Sequence, residues 1–315
     1  MRAEPRVAFV FPGQGSQRVG MGKRWCEEFA EARRVFEEAE DALGLPLRKI
    51  CFSGPEEELK LTRHAQPAIL TVSIAAWRVL QATGALAPAC VAGHSLGEYS
   101  ALVSAGALAF GDAVKIVYER GRLMQEAVAQ GEGSMAAVMG LDEREVERLC
   151  AEAAGGEVVG IAGLNGGGQI VIAGARGAVL RAKELALQAG AKSVVELPVS
   201  APFHCALMKP AAEGLERVLE KVDVRPYSIG VVTNVEAKVN LDPLRVKGLL
   251  VRQVVSPVRW EESVKEIERL GCTGAIEIGP GRVLRGLIKR ISPALVVHNL
   301  ETPEDLSKVA RAAAP

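Results

Sequence analysis

The chain has 315 residues, enough for one large core or for a core carrying an inserted subdomain. Its 49% hydrophobic and 24% charged residues exclude a disordered chain. Lys plus Arg and Asp plus Glu each total 38, so no global field exists to hold nucleic acid or an anionic membrane, and any charged partner must meet a local patch. Cys26, Cys51, Cys90, Cys150, Cys205 and Cys272 are scattered without a Cys-x-x-Cys pair, which suggests neither a disulfide framework nor a zinc site, but reduced cytosolic thiols. The apolar run before Pro12 is too short for a signal-peptide core or a membrane span. A cytoplasmic protein is expected.

In chain order, Val7–Phe11 is a continuous apolar run stopped by Pro12, as a buried parallel strand would be. Gly13-Gln14-Gly15-Ser16-Gln17 follows as a flexible polar loop. It is not a dinucleotide fingerprint, because Arg18 stands where the third glycine belongs. A loop presenting backbone N–H groups is the better reading. Helices are predicted over 24–43 and 68–81, the second apolar nearly all round, with Pro67 suited to its first turn.

Residues 89–92 read as a small apolar strand and 98–105 as a helix closed by Gly106, which places Ser95 of Gly93-His94-Ser95-Leu96-Gly97-Glu98 where strand meets helix. That is the context of a nucleophile elbow. Gly93 and Gly97 stand where a β-carbon would crowd the turn. The Leu96 N–H, opening the helix, would face a negative oxygen forming beside Ser95.

Asp112 is expected to cap a helix with the apolar stripe Ala113, Val117, Met124 and Val128, and Arg120 falls on that stripe. A core-facing guanidinium needs an anion. Either an internal carboxylate or the carboxylate of a substrate in a cleft would serve.

From Ser134 the rhythm changes to strand 135–139, helix Glu143–Ala154, strands 158–162 and 169–173, helix 177–188 and strand 193–197. That β-α-β-β-α-β order is the ferredoxin-like split. Asp142 with Glu145 forms a capping box on its first helix, Gly190 closes the second, and Asn165 lies in a Gly-rich loop within reach of a neighbouring cleft. The chain returns at Pro198. Strand 229–233, helices 242–255 and 260–270, strand 275–278 and helix 282–291 then resume the α/β alternation.

The expected fold is therefore α/β, a mostly parallel doubly wound, hydrolase-like sheet formed by 1–130 and 198–315, with a ferredoxin-like α+β subdomain at 131–197. Of the four histidines, His204 is the natural base for Ser95, although a lone histidine is more often a core or capping residue. No acid between Ser95 and His204 sits where a triad member should. The imidazole would then be oriented by a backbone carbonyl or an amide.

Phe11-Pro12-Gly13-Gln14-Gly15-Ser16-Gln17, Gly93-His94-Ser95-Leu96-Gly97-Glu98, Arg120-Gly121-Arg122-Leu123-Met124 and Pro202-Phe203-His204-Cys205-Ala206-Leu207-Met208 together resemble the malonyl-CoA:acyl carrier protein transacylases. Asn165 with Gln169, Thr233-Asn234, Gln253 with Ser256-Pro257-Val258-Arg259-Trp260, and Glu277-Ile278-Gly279-Pro280-Gly281 follow in the family's order. The resemblance runs from Val7 to near Leu300. It implies Ser95 as nucleophile, His204 as base, and the backbone N–H groups of Gln14 and Leu96 as oxyanion hole. It also implies Arg120 as the grip on the malonate carboxylate, Met124 and Asn165 as acyl-pocket lining, and Gln253 at the substrate site, its main-chain carbonyl orienting His204. The chain departs locally, with Gly166-Gly167 where the family often has Ser-Pro.

The implied partners are malonyl-CoA and an acidic acyl carrier protein in fatty acid synthesis, with no cofactor or metal, and nothing demands more than a monomer. Arg282, Arg285 and Lys289, with Arg290 beside them, form a candidate carrier-docking stripe or an ordinary solvated helix face. Alternatives are a serine esterase or thioesterase, against which Arg120 and the missing acid argue, a polyketide-type acyltransferase, and a non-catalytic acyl-CoA binding module.

Overall fold

A computed structural model describes residues 6–84, 86–199 and 201–312; Met1–Pro5, part of the N-terminal stretch discussed above, lies outside them. The chain opens with β1 (Val7–Phe11), α1 (Lys23–Glu28), α2 (Ala30–Leu43), α3 (Leu47–Ser53), α4 (Glu56–Lys60), α5 (Thr62–Ala82), β2 (Cys90–Gly93), α6 (Gly97–Ser104) and α7 (Phe110–Glu126). Then come β3 (Gly133–Met139), α8 (Glu143–Ala154), β4 (Val159–Gly166), β5 (Gln169–Ala175), α9 (Arg176–Gln188) and β6 (Ser193–Glu196). The last third holds α10 (Lys209–Glu220), β7 (Val231–Val232), β8 (Val239–Asn240), α11 (Pro243–Val255), α12 (Trp260–Arg269), β9 (Gly274–Ile278), α13 (Val283–Ile291), β10 (Val296–Leu300) and α14 (Asp305–Ala312).

The larger sheet has the order β10-β9-β1-β2-β7-β8 and is parallel except for the β7–β8 pair. β1 is buried on both faces because helices cover both, which is why its five residues are all apolar. Phe11 pairs with Gly93 and Val10 with Glu277. This register brings the loops after β1, β2 and β9 to one edge, the carboxyl end of the strands, where open α/β sheets carry their sites.

The smaller sheet is antiparallel, in the order β4-β5-β3-β6, as the ferredoxin-like reading requires. Strands β3 and β5 alternate strictly, whereas β4 is irregular near Gly163 and Gly166. Ala136, Val138, Ile170 and Ile172 pack under α8 and α9 with Val146, Leu149 and Val179, while Met135, Ala137, Val171 and Ala173 join the main core. Its outer strand also touches the larger body through backbone bonds, Leu164 N to Val258 O at 2.9 Å and Val258 N to Ala162 O at 3.0 Å. We propose the two sheets as the domain division, 131–197 against 1–130 with 198–315.

Several elements differ from expectation. The helix predicted over 24–43 breaks at Phe29, which is extended (φ −127°, ψ 129°) and lays its ring 5.7 Å from Trp25. α5 starts at Thr62 and carries Pro67 inside it rather than in the first turn. The lost N–H bond is outweighed by near-complete burial from Ala65 to Leu80. Asp112 caps nothing, because α7 begins at Phe110 with Ala109 before it; the carboxylate sits in the first turn. The strand expected over 229–233 shrinks to β7, since the chain turns straight back into β8 through Ala237 at φ 51°. β4 runs on to Gly166, so Asn165 is a strand residue, not a loop one. Asp142 does accept the Glu145 N–H at 2.8 Å, while the Glu145 carboxylate is taken by Arg148.

Candidate active site

Ser95 stands between β2 and α6 with φ 51°, a left-handed backbone that a non-glycine residue holds only when its surroundings enforce it. The flanking glycines are sterically required. A Cβ on Gly93 would lie 1.9 Å from the Gly97 carbonyl carbon, and one on Gly97 would lie 2.0 Å from the Phe11 carbonyl oxygen. Asn234 then clamps the turn: its Oδ1 accepts the Ser95 N–H at 2.6 Å and its Nδ2 donates to the Gly93 carbonyl at 2.6 Å. Gln253 Nε2 donates to the Ser95 carbonyl at 3.0 Å.

The Ser95 hydroxyl lies 2.7 Å from His204 Nε2, and His204 Nδ1 lies 2.8 Å from the Gln253 carbonyl. A carbonyl only accepts, so Nδ1 carries the proton and Nε2 presents its lone pair to the serine. Burial, and after it the charge of Arg120, holds the His204 pKa down to about 3. The imidazole is thus neutral and ready to take a proton. No third carboxylate completes a triad among the described residues; the carbonyl of Gln253 has its place.

Arg120, on α7, is 1% exposed. Its Nη1 donates to Gln66 Oε1 at 2.7 Å, and its Nη2 donates to Gln253 Oε1 at 2.9 Å and to Ser95 Oγ at 3.2 Å. The Tyr99 ring lies 5.5 Å away, and Nε has no partner among the described residues. All these partners are neutral. Of the two readings left open by the sequence, an internal ion pair is therefore absent among the described residues, and the cation sits beside the Ser95 hydroxyl without a carboxylate in contact.

The structure brings Ser95, His204, Arg120 and Gln253 into one hydrogen-bonded cluster. Gln253 is wholly buried, with its polar atoms given to His204, Arg120, Ser95 and Glu98, so it orients these groups. The loop of Gln14 reaches the elbow because Gly13 leaves room: a Cβ there would meet the His94 carbonyl oxygen at 2.4 Å. Among the described residues the backbone N–H groups of Gln14 and Leu96 donate to no protein acceptor. Met124 meets the cluster through Gln66, whose Nε2 lies 3.8 Å from its sulfur. Asn165 is one step further out, its Oδ1 2.9 Å from His94 Nε2 and its Nδ2 donating to Gln169.

An acyl transferase domain matches residues 8–293. The malonyl CoA-acyl carrier protein transacylase of Salmonella typhimurium is 48% identical over 302 residues, which are 96% of this chain and 98% of that one. The chain belongs to the malonyl CoA-acyl carrier protein transacylases. The transacylase structure from Coxiella burnetii superposes with a TM-score of 0.97 at 42% identity over the whole of both chains. A malonyl-transacylase solved with its type II PKS acyl-carrier protein matches at TM-score 0.95 and 46% identity, over 98% of this chain and 99% of that one.

Within this acyltransferase family the Gly166-Gly167 departure has a local cause. Both residues have positive φ, and a Cβ would meet Ile291 Cγ1 at 2.2 Å and Arg290 Cβ at 2.8 Å respectively. Two glycines let the β4–β5 hairpin seat on the end of α13. Just before that helix Arg282 is held by Glu301, and on it Arg285 is held by Asn299. Lys289 and Arg290 are exposed and have no ion pair among the described residues.

Sequence reasoning missed Gln66 and Glu98 as site residues, and took Thr233-Asn234 only as a motif. Glu98 did carry a signal, a lone charge in a helix otherwise small or apolar.

Proposed function

We propose that the chain moves a malonyl group from malonyl-CoA, through an ester on Ser95, to the phosphopantetheine thiol of an acyl carrier protein. The observation that carries this reading is Arg120, a buried cation lacking a carboxylate partner and 3.2 Å from the nucleophilic oxygen. His204 Nε2 takes the Ser95 proton as Oγ attacks the thioester carbon. The oxyanion is met by the N–H groups of Gln14 and Leu96. When the C–S bond breaks, His204 returns its proton to the departing thiolate. The carrier thiol then gives its proton to His204, attacks the ester, and Ser95 recovers the proton as it leaves.

Arg120 decides which acyl group is used, because an acetyl group would leave the guanidinium unpaired. Met124 and Asn165 line the pocket beyond it. Arg120→Ala should cut kcat/KM for malonyl-CoA by about a hundredfold or more while sparing acetyl-CoA, read as transfer to holo carrier protein. Unchanged malonyl selectivity would remove the clamp.

The carrier is that of fatty acid synthesis; the likeness to a transacylase solved with a type II PKS carrier makes such a carrier the competing acceptor, and rates with the two holo carriers decide between them. A cytoplasmic monomer is inferred. In support of the location, no described helix is long and apolar enough to cross a membrane, and the six cysteines are free.

A further inference from the structure

Glu98 lies in the first turn of α6, directly after the seryl turn, and is 2% exposed. Among the described residues its contacts are hydrogen bonds rather than an ion pair, and a buried carboxylate without a cation in contact is costly to keep. An apolar side chain of similar size would fill that place in α6, whose neighbours Tyr99, Ala101, Leu102 and Val103 are all buried.

The Oε2 of Glu98 can do what an apolar group cannot: it accepts, whether the group is ionised or carries a proton on its other oxygen. It takes Gln253 Nε2 at 2.7 Å and the Asn234 backbone N–H at 3.1 Å. The two ends of a glutamine amide are nearly equal in shape, so its orientation is decided by what surrounds it. With Nε2 committed to Glu98, Gln253 Oε1 faces Arg120 Nη2 at 2.9 Å. The reversed amide would set donor against guanidinium and acceptor against carboxylate. Asn234, held by the same oxygen, spans Gly93 and Ser95.

We propose that Glu98 is a positioning residue for malonyl transfer: its carboxylate locks the Gln253 amide in the orientation that holds Arg120, and anchors Asn234 beneath the seryl turn. This rests on Arg120 being the malonyl clamp. Glu98 itself touches no reacting atom; it acts on selectivity through Gln253 and Arg120.

Two variants separate the hydrogen-bond geometry from the charge. Glu98→Gln keeps an acceptor oxygen in place and removes the ionisable group, whereas Glu98→Asp keeps an ionisable group and withdraws the oxygen by one methylene. Steady-state kinetics with malonyl-CoA and acetyl-CoA would be measured per active site, titrated with a serine-directed fluorophosphonate, alongside Tm and an Arg120→Ala control. Glu98→Gln should keep the malonyl preference within about threefold of the parent, and Glu98→Asp should lose about tenfold or more of it, chiefly in KM for malonyl-CoA.

A Glu98→Asp protein with the parental preference would overturn the proposal. So would a Glu98→Gln protein that falls as far as Glu98→Asp; being isosteric, the Gln variant decides the matter even where Glu98→Asp does not fold. Lowered Tm and fewer active sites, with an unchanged preference per site, would show a merely structural role and also overturn it. Preference lost in Arg120→Ala but kept in Glu98→Asp would sink the positioning role alone. Preference kept in Arg120→Ala would sink both the clamp and this inference.

Discussion

The proposed role of His204 as base requires a neutral imidazole, and two effects keep it so. Burial comes first and the Arg120 charge second, and together they hold its pKa down to about 3. Nitrogen-15 histidine NMR should therefore show His204 neutral, with the proton on Nδ1, from pH 8 down to pH 5, and Arg120→Ala should move its pKa upward. Titration near 6.5 in the parent protein would contradict the account. The same shift bears on stability: between about 6.5 and 3 the unfolded chain binds a proton that the native site refuses, so this contribution to stability is lost as pH falls through that window. Glu98, raised to about 7 by burial, works in the opposite direction: from about 4.5 up to 7 the native state holds the extra proton, and stability falls as pH rises. That Ser95, His204 and Arg120 would come together was legible in the sequence, from the strand-turn-helix context of Ser95, the shortage of other histidines, and a guanidinium on an apolar stripe. The ties of Glu98 to Asn234 and Gln253 span 136 and 155 residues of chain, and no local pattern reports such a contact.

At the scale of elements, the seryl turn exists because β1, β2 and α6 approach closer than side chains permit. The Cβ of Gly93→Ala would collide with backbone at 1.9–2.0 Å, on Gly97, with no flexible side chain to give way. The substitution should lower Tm by several degrees or more and abolish acyl-serine formation; near-parental Tm and full acylation would show that the turn is looser than described. Period-two alternation made the β-α-β-β-α-β unit legible, since its central strands β3 and β5 have one face under α8 and α9 and the other on the main core. The early helices were less legible. Phe29 and Pro67 obey tertiary packing: Phe29 leaves the helix where its ring meets Trp25, and Pro67 stays inside one because α5 is buried along its length.

Across the whole molecule, the site is assembled where three strand ends meet an antiparallel sheet, and strand order was the least legible feature. β1 lies between β9 and β2, an adjacency set by long-range pairing rather than by any run of residues. Lys289 and Arg290, without an ion pair among the described residues, sit on α13 beside the hairpin of that smaller sheet, whereas Arg282 and Arg285 are already engaged within the chain. Reversing charge at Lys289 and Arg290 should raise KM for an acidic carrier by about tenfold without changing acylation by malonyl-CoA. An unchanged KM would retire this face as the docking surface. The central claim is the seryl ester, and intact mass tests it directly: the protein is incubated briefly with malonyl-CoA alone, mapped by peptide, then mixed with holo carrier protein. A malonyl increment on Ser95 that passes to the carrier is the predicted result. An increment that ends as free malonate, or none at all, would contradict it.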